Sequence, residues 1–280
     1  MWQAWDYAVE KLGGQLEAKR EAQLMVAHIL GCSPSRLPLL SERIVDLDKL
    51  NRLIEMRQAG KPLQYILGEQ EFMSLAFYVE KTVLIPRADT ERIVETAINL
   101  FAASDNQVDV ADICCGSGAI GVSLAYFLPR AHVLATDISE QALQVAQKNA
   151  VRHRVQNRMT FLQGDLLQPL QGKSFDLIVC NPPYIPHEDL ATLPPDVQKE
   201  PQLALDGGAD GLDFYRRLAK DAAACLQPQG YLLLEMGFDQ KDMVTEICAQ
   251  QGWQVLREIQ DYGQNHRGLL LQPFDSINKE

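Results

Sequence analysis

No run of about 18 consecutive apolar residues occurs in the 280-residue chain, which excludes a transmembrane helix. The first residues, MWQAWDYAVEKLGG, carry acidic side chains and lack the apolar centre of a signal peptide, so a cytoplasmic location without a membrane is expected. Basic charge is in short supply: 26 Lys and Arg face 37 Asp and Glu, a formal net charge of −11. Phosphate contacts need Lys and Arg, so this balance argues against direct nucleic-acid binding; a local basic patch or a basic protein partner stays compatible with it. The six cysteines (32, 114, 115, 180, 225 and 248) form no CxxC pair and stand in no metal-ligand spacing with a histidine, so no metal is expected. They read as reduced, partly buried thiols of a cytoplasmic protein. Internal repeats and low-complexity segments are also missing.

What is present is ordinary globular material, 46% hydrophobic and 22% charged, in a length that suits one large domain or a core domain with a small addition. Residues 1 to about 66 read as helices. EAKREAQLMVAHIL places Ala22, Val26, Ile29 and Leu30 near one face before Gly31 stops it, and DLDKLNRLIEMRQAG repeats the pattern before Gly60 and Pro62. From about 68 to 86, EFMSLAFYVEKTVLIP is rich in Phe, Tyr and Val and predicts a β-hairpin joining two domains. A helix follows, with Asp89 or Thr90 as its expected cap. Beyond about 108, strands (VDVADI, HVLATD, MTFLQGD, FDLIVCN, GYLLLEMG) alternate with helices, one of them capped by Ser139. That alternation implies a mostly parallel sheet covered on both faces. The last two strands, WQVLREIQD and GLLLQP, are joined by a short loop and should pair antiparallel.

The loop DICCGSGAIG follows the first strand of the alternating region. Ligands of such sheets bind outside the carboxyl ends of the strands. Gly116 and Gly118 allow close backbone approach, and the helix beyond offers unpaired N–H groups. Asp137 ends the next strand, about 25 residues after Asp112, where its carboxylate can accept hydrogen bonds from ribose hydroxyls. Asp165 ends the third strand and could meet an adenine amino group, with Leu166 lining the adenine face. These residues alone leave S-adenosylmethionine, a nicotinamide dinucleotide and no ligand all open, because Gly116, Gly118 and Gly121 also spell G-x-G-x-x-G.

The segment NPPY, residues 181–184, narrows the choice. It ends an apolar strand with an amide, two prolines and a ring. Asn181 offers a side-chain acceptor and Pro182 a carbonyl, held by restricted proline φ angles. Two fixed acceptors suit a planar NH2 group with two donors, and Tyr184 supplies a ring for a planar substrate to pack against. An amide nitrogen is a poor nucleophile because its lone pair is delocalised. Acceptors on its protons favour density at nitrogen and aim it at a methyl donor, so transfer depends mainly on positioning.

This segment is similar to the N-P-P-Y motif of class I methyltransferases acting on planar nitrogens, among them N6-adenine DNA methyltransferases and the N5-glutamine methyltransferases of peptide chain release factors. The rest resembles the second group: GKPLQYILGEQEF (60–72), TVLIPRADTE (82–91), EPQLALDGGADGLDFY (200–215) and DYGQNHR (261–267), in order over nearly the whole chain. The resemblance implies a Rossmann-like, seven-stranded class I methyltransferase domain of the α/β class, with a small N-terminal helical bundle and a β-hairpin linker. The expected division is a helical substrate-docking domain at 1–67, the linker at 68–86 and the catalytic domain at 87–280. The implied reaction moves a methyl group from S-adenosylmethionine to the Gly-Gly-Gln glutamine of class 1 release factors, in a chain expected to be a monomer. On the family's motifs, Cys114, Cys115, Gly116, Ser117, Gly118, Asp137, Leu166 and Asn181 would contact the cofactor. Asn181, Pro182, Pro183 and Tyr184 would hold the glutamine, with Asn181, Pro182 and Tyr184 catalytic. One departure stands out: Cys114 and Cys115 occupy positions where the family usually has glycine and often threonine.

Four further residues draw weaker expectations. Arg87 could reach the cofactor's carboxylate region or the substrate loop, or pair locally with Asp89 or Glu91. Glu200 is expected to brace the loop above the site, and His266 and Arg267 to be structural. An adenine N6-methyltransferase would need a basic surface for a flipped base, which the sequence lacks in obvious form. A nicotinamide dehydrogenase would leave residues 181–184 unexplained.

Overall fold

The computed structural model describes residues 1–14 and 16–274; the end of the expected catalytic domain, 275–280, lies outside the described residues. The chain forms two compact units, one of residues 1–69 with 194–199 and one of residues 70–193 with 200–280.

The first unit holds α1 (Trp2–Lys11), α2 (Leu16–Leu30), α3 (Leu47–Gln58) and α4 (Leu63–Leu67). Asp46 caps α3 by accepting from the Lys49 backbone N–H at 3.0 Å, the acceptor that a helix start otherwise lacks. The apolar stripes read from the sequence close on one core, with Ala22, Met25, Val26 and Leu50 fully buried. Arg57 and Glu21 tie α3 to α2 at 2.9 Å. The short α4 closes the helical stretch expected to about residue 66: Gly60 and Pro62 end α3, and the chain turns back into helix directly after the proline, which is tolerated at a helix start.

From Glu69, the last residue of the first stretch, β1 (Glu69–Phe72) and β2 (Leu75–Tyr78) form the hairpin, shorter than the stretch that predicts it. Residues 79–86 leave the ladder and lead into α5 (Ala88–Phe101). That helix starts at Ala88 with no side-chain cap, so neither Asp89 nor Thr90 caps it. The alternating region follows as β3 (Val108–Ile113), α6 (Ala119–Phe127), β4 (Ala131–Asp137), α7 (Glu140–Arg152), β5 (Met159–Gln163), β6 (Phe175–Cys180), α8 (Asp213–Asp221), β7 (Leu226–Glu235), α9 (Lys241–Gln250), β8 (Trp253–Gln260) and β9 (His266–Pro273). Ser139 caps α7 through Ala142 N at 3.2 Å, as its position predicts.

The sheet runs β5-β4-β3-β6-β7-β9-β8. Its first five strands pair in parallel; β9 inserts antiparallel between β7 and β8. Side chains alternate across it by the two-residue strand period. Val110, Leu177, Val179 and Leu233 face the core shared with α5, α6 and α7. Ala111, Ile113, Ile178, Cys180, Leu232 and Leu234 face that shared with α8 and α9. Burial of each large aliphatic side chain contributes about 1.5–3 kcal/mol, several times more than exposed pairs such as Arg130–Asp105.

One buried polar side chain joins the hairpin to the glycine loop. Asn149 of α7 is fully buried; it accepts from Tyr78 N at 2.7 Å and donates to Tyr78 O at 3.0 Å and Ser117 O at 2.8 Å. Asn149→Ala would leave these buried backbone groups without partners. It should lower stability by about 2–4 kcal/mol, read as a shifted midpoint in urea unfolding.

Candidate active site

The carboxyl ends of β3, β4 and β6, with the chain just past β5, open into a cavity of about 590 Å³. Of the residues singled out from the sequence, it brings together Cys114, Gly116, Asp137, Asp165, Leu166, Asn181 and Pro183. Cys115 is buried in the core, Ser117 lies beneath the surface with its carbonyl on Asn149, and Gly118 starts α6; these three do not line the cavity. Pro182 and Tyr184 also stand outside its lining. Pro182 is buried, and half-buried Tyr184 packs against the core beside α8.

Asp137 sits at the edge of β4, where its two oxygens accept from Gly116 N and Ser139 N, each at 2.9 Å. These bonds aim the carboxylate along the cavity wall and leave each oxygen a further lone pair. Burial raises the Asp137 pKa, and the two backbone N–H donors oppose that rise. Deeper in the sheet, burial pushes Asp112 up to about 7, although Gly121 N donates to it at 2.8 Å. Asp165 is engaged by Arg217 at 2.5 Å, a partner from α8 that sequence spacing gave no signal for.

Two non-glycine residues of the wall hold left-handed backbone: Cys114 at φ 58° and Leu166 at φ 47°. Such strain gathers at functional sites when surrounding structure enforces it. The Cys114 thiol lies against that of Cys180, and burial with this contact raises the Cys180 pKa.

The segment 181–184 is clamped by the loop that reads DGGADG. Ile185 N donates to Leu205 O at 3.0 Å, and Gly207 N to Ile185 O at 2.8 Å. A Cβ on Gly207 would come within 2.7 Å of Tyr184 Cα, and one on Gly211, at φ 75°, within 2.4 Å of Tyr184 O. Only glycine permits that approach. Gln240 donates to Tyr184 O at 2.9 Å. Nearby, buried Glu200 accepts from Ile85 N at 2.9 Å and pairs with Arg87, which braces the strap 81–84 lining the cavity. The Arg87 partner is therefore Glu200, not Asp89 or Glu91. Arg267 pairs with Asp261 at 2.9 Å and Asp89 at 3.1 Å, a structural arrangement. Burial lifts Glu235 to about 7 and, with Glu235 nearby, Tyr184 to about 12. Glu235, Asn149 and Gln240 stand in none of the sequence motifs that point to the site, and only the folded chain brings them to it.

Residues 95–195 match the methyltransferase small domain family, and residues 3–68 match the PrmC N-terminal domain family. The chain is 47% identical to the release factor glutamine methyltransferase of Moorella thermoacetica, over 91% of this chain and 93% of that one. It is 42% identical to that of Geobacter sulfurreducens, over 88% and 86%. A methyltransferase structure from Pyrococcus furiosus superposes with a TM-score of 0.53 at 18% identity, over 81% of this chain and 98% of that one, a likeness of fold.

The left-handed backbone at Cys114 makes a direct prediction. Cys114→Gly should raise stability by about 0.5–1 kcal/mol, and β-branched Cys114→Val should lower it by about 1 kcal/mol or more, both read from denaturant midpoints.

Proposed function

The chain belongs to the release factor glutamine methyltransferase family, and from that premise we propose that its cavity binds S-adenosylmethionine beside a glutamine held by residues 181–184. The enzyme is a protein-(glutamine-N5) methyltransferase that methylates the side-chain amide of the Gly-Gly-Gln glutamine in release factors. The observation that carries the site assignment is that Asn181 and Pro183 line the same cavity as Gly116 and Asp137. The donor set fits S-adenosylmethionine: a carboxylate with spare lone pairs for ribose hydroxyls, an apolar wall at Leu166 and open backbone at Gly116. A dinucleotide reading would leave the NPPY segment without a role.

When bound, S-adenosylmethionine supplies an electrophilic methyl group on a sulfonium. Asp137 would hold the ribose hydroxyls and Leu166 would cover the adenine. Asp165, paired with Arg217, borders that end of the cavity. Asn181 Oδ1 and the Pro182 carbonyl accept the two N–H groups of the glutamine, which turns its nitrogen toward the methyl. The prolines fix both acceptors before substrate arrives, so little ordering entropy is left to lose at the reaction. Tyr184 packs against the amide plane and stays protonated at neutral pH, since burial raises its pKa to about 12. No group need remove a proton before transfer; the amide proton leaves afterwards to water.

The release factors are those of class 1, and the N-terminal helical unit supplies their docking surface. One loop glutamine offers less contact than a specific protein complex needs. The enzyme works as a cytoplasmic monomer without direct contact to nucleic acid. No helix of the described residues is long and apolar enough to cross a membrane.

Incubation with tritiated S-adenosylmethionine and an unmodified class 1 release factor should place one methyl on the Gly-Gly-Gln peptide, read by peptide mass spectrometry. Label on DNA or RNA with none on protein would replace this reading with the adenine one. Asn181→Ala should lower kcat by about a hundredfold or more. Asp137→Ala should weaken S-adenosylmethionine binding by about tenfold to a hundredfold in calorimetry, and unchanged affinity would remove Asp137 from the cofactor site.

A further inference from the structure

Strand register places an acidic side chain beside the residue assigned to hold the substrate. In the parallel pair of β6 and β7, Cys180 stands opposite Leu234. Asn181 follows directly on β6, and Glu235 is the last residue of β7. Glu235 alternates with Leu234 along β7 and so projects to the face covered by α5, at the strand end from which Asn181 emerges on the neighbouring β6. Glu235 is 1% exposed, and its Oε2 has no hydrogen-bond partner among the described residues. Thr90 Oγ1 of α5 is likewise buried without a partner among the described residues, and the Thr90 and Asn181 side chains are among the groups that hold the Glu235 ionisation down against burial. A buried carboxyl oxygen left without a partner is costly, so its retention here asks for a role.

We infer that Glu235 is a positioning residue: its carboxylate takes the Nδ2–H of Asn181 and thereby turns Asn181 Oδ1 toward the glutamine amide. The inference rests on the assignment of Asn181 as the glutamine acceptor. An asparagine side chain can present either end, and the two ends have opposite polarity. With NH2 toward the cavity, Asn181 would repel the substrate's donors. An ionised carboxylate only accepts, so beside it one orientation is favoured. A protonated carboxyl can donate to Oδ1 and compete with the substrate for that acceptor.

The sign of the pH dependence follows. Activity should need Glu235 ionised and rise with pH through its ionisation. Burial raises that ionisation to about 7 against the pull of Thr90, Arg267 and Asn181. The other groups facing it are Asp89 from α5, Tyr184 after β6 and Tyr215 of α8, whose hydroxyl donates to the Glu235 carbonyl at 3.0 Å.

The test is kcat against pH for wild type, Glu235→Gln and Glu235→Asp, on the full chain with an unmodified release factor. Wild type should rise about tenfold per pH unit to a plateau above about pH 7. Glu235→Gln keeps the shape but cannot ionise. It should bind S-adenosylmethionine within about threefold of wild type, lose about tenfold to a hundredfold in kcat at the plateau, and lose the acid limb. Glu235→Asp should keep the limb at reduced kcat. Buried Asp112 is also raised to about 7, but its limb would survive in Glu235→Gln. A Glu235→Gln enzyme with the wild-type limb and plateau overturns the inference, as does a uniform loss that leaves the limb in place. If wild type fails to methylate the glutamine while binding S-adenosylmethionine, the parent assignment fails instead.

Discussion

The parallel register of β3, β6 and β7 is the constraint on which the site depends. Ile113 pairs with Cys180, and Cys180 with Leu234, so three strands end on one line. The residues just beyond that line are Cys114, Asn181 and, as the last of β7, Glu235. A slip of one residue would turn each of them to the opposite face and drive apolar neighbours toward water. Interior burial on both faces makes such a slip costly, so the cores below the site hold the geometry above it.

The site is built from groups held against their own preferences. Cys114 and Leu166 keep left-handed backbone, and Asp112, Asp137 and Glu235 are carboxyl groups taken largely out of water. What opposes these costs is local and specific. Backbone N–H groups reach Asp112 and Asp137, and Asn149 fastens the loop from below. The glycines of the DGGADG loop let a second segment press on Tyr184 from above. Clamped on both sides, residues 181–184 are ordered by the fold itself. That preorganisation is what catalysis by positioning requires.

Much of this was legible from the chain. Strand and helix periods gave the alternating elements within a few residues, Ser139 its cap, and the antiparallel pairing of the last two strands. The NPPY segment pointed to planar-nitrogen chemistry because proline and amide at a strand end have few other uses. Misreadings came where local signals were equivocal. Asp89 and Thr90 look like caps, yet α5 begins before them at Ala88. The stretch 79–86 reads as strand, yet its residues 81–84 form the strap along the cavity, braced at Ile85 by Glu200 more than a hundred residues away.

The sequence by itself determined the element order, the two-part organisation of the chemistry and the family, because period, capping and motif spacing are local properties. Tertiary structure alone decided which loop residues reach the cavity and which support it from beneath. It inserted β9 between β7 and β8, paired Asp165 with Arg217, and brought the end of β7 at Glu235 alongside the end of β6 that leads into Asn181. Those outcomes depend on register and on which distant side chains meet, and pairing between remote strands leaves no mark in the spacing of either one.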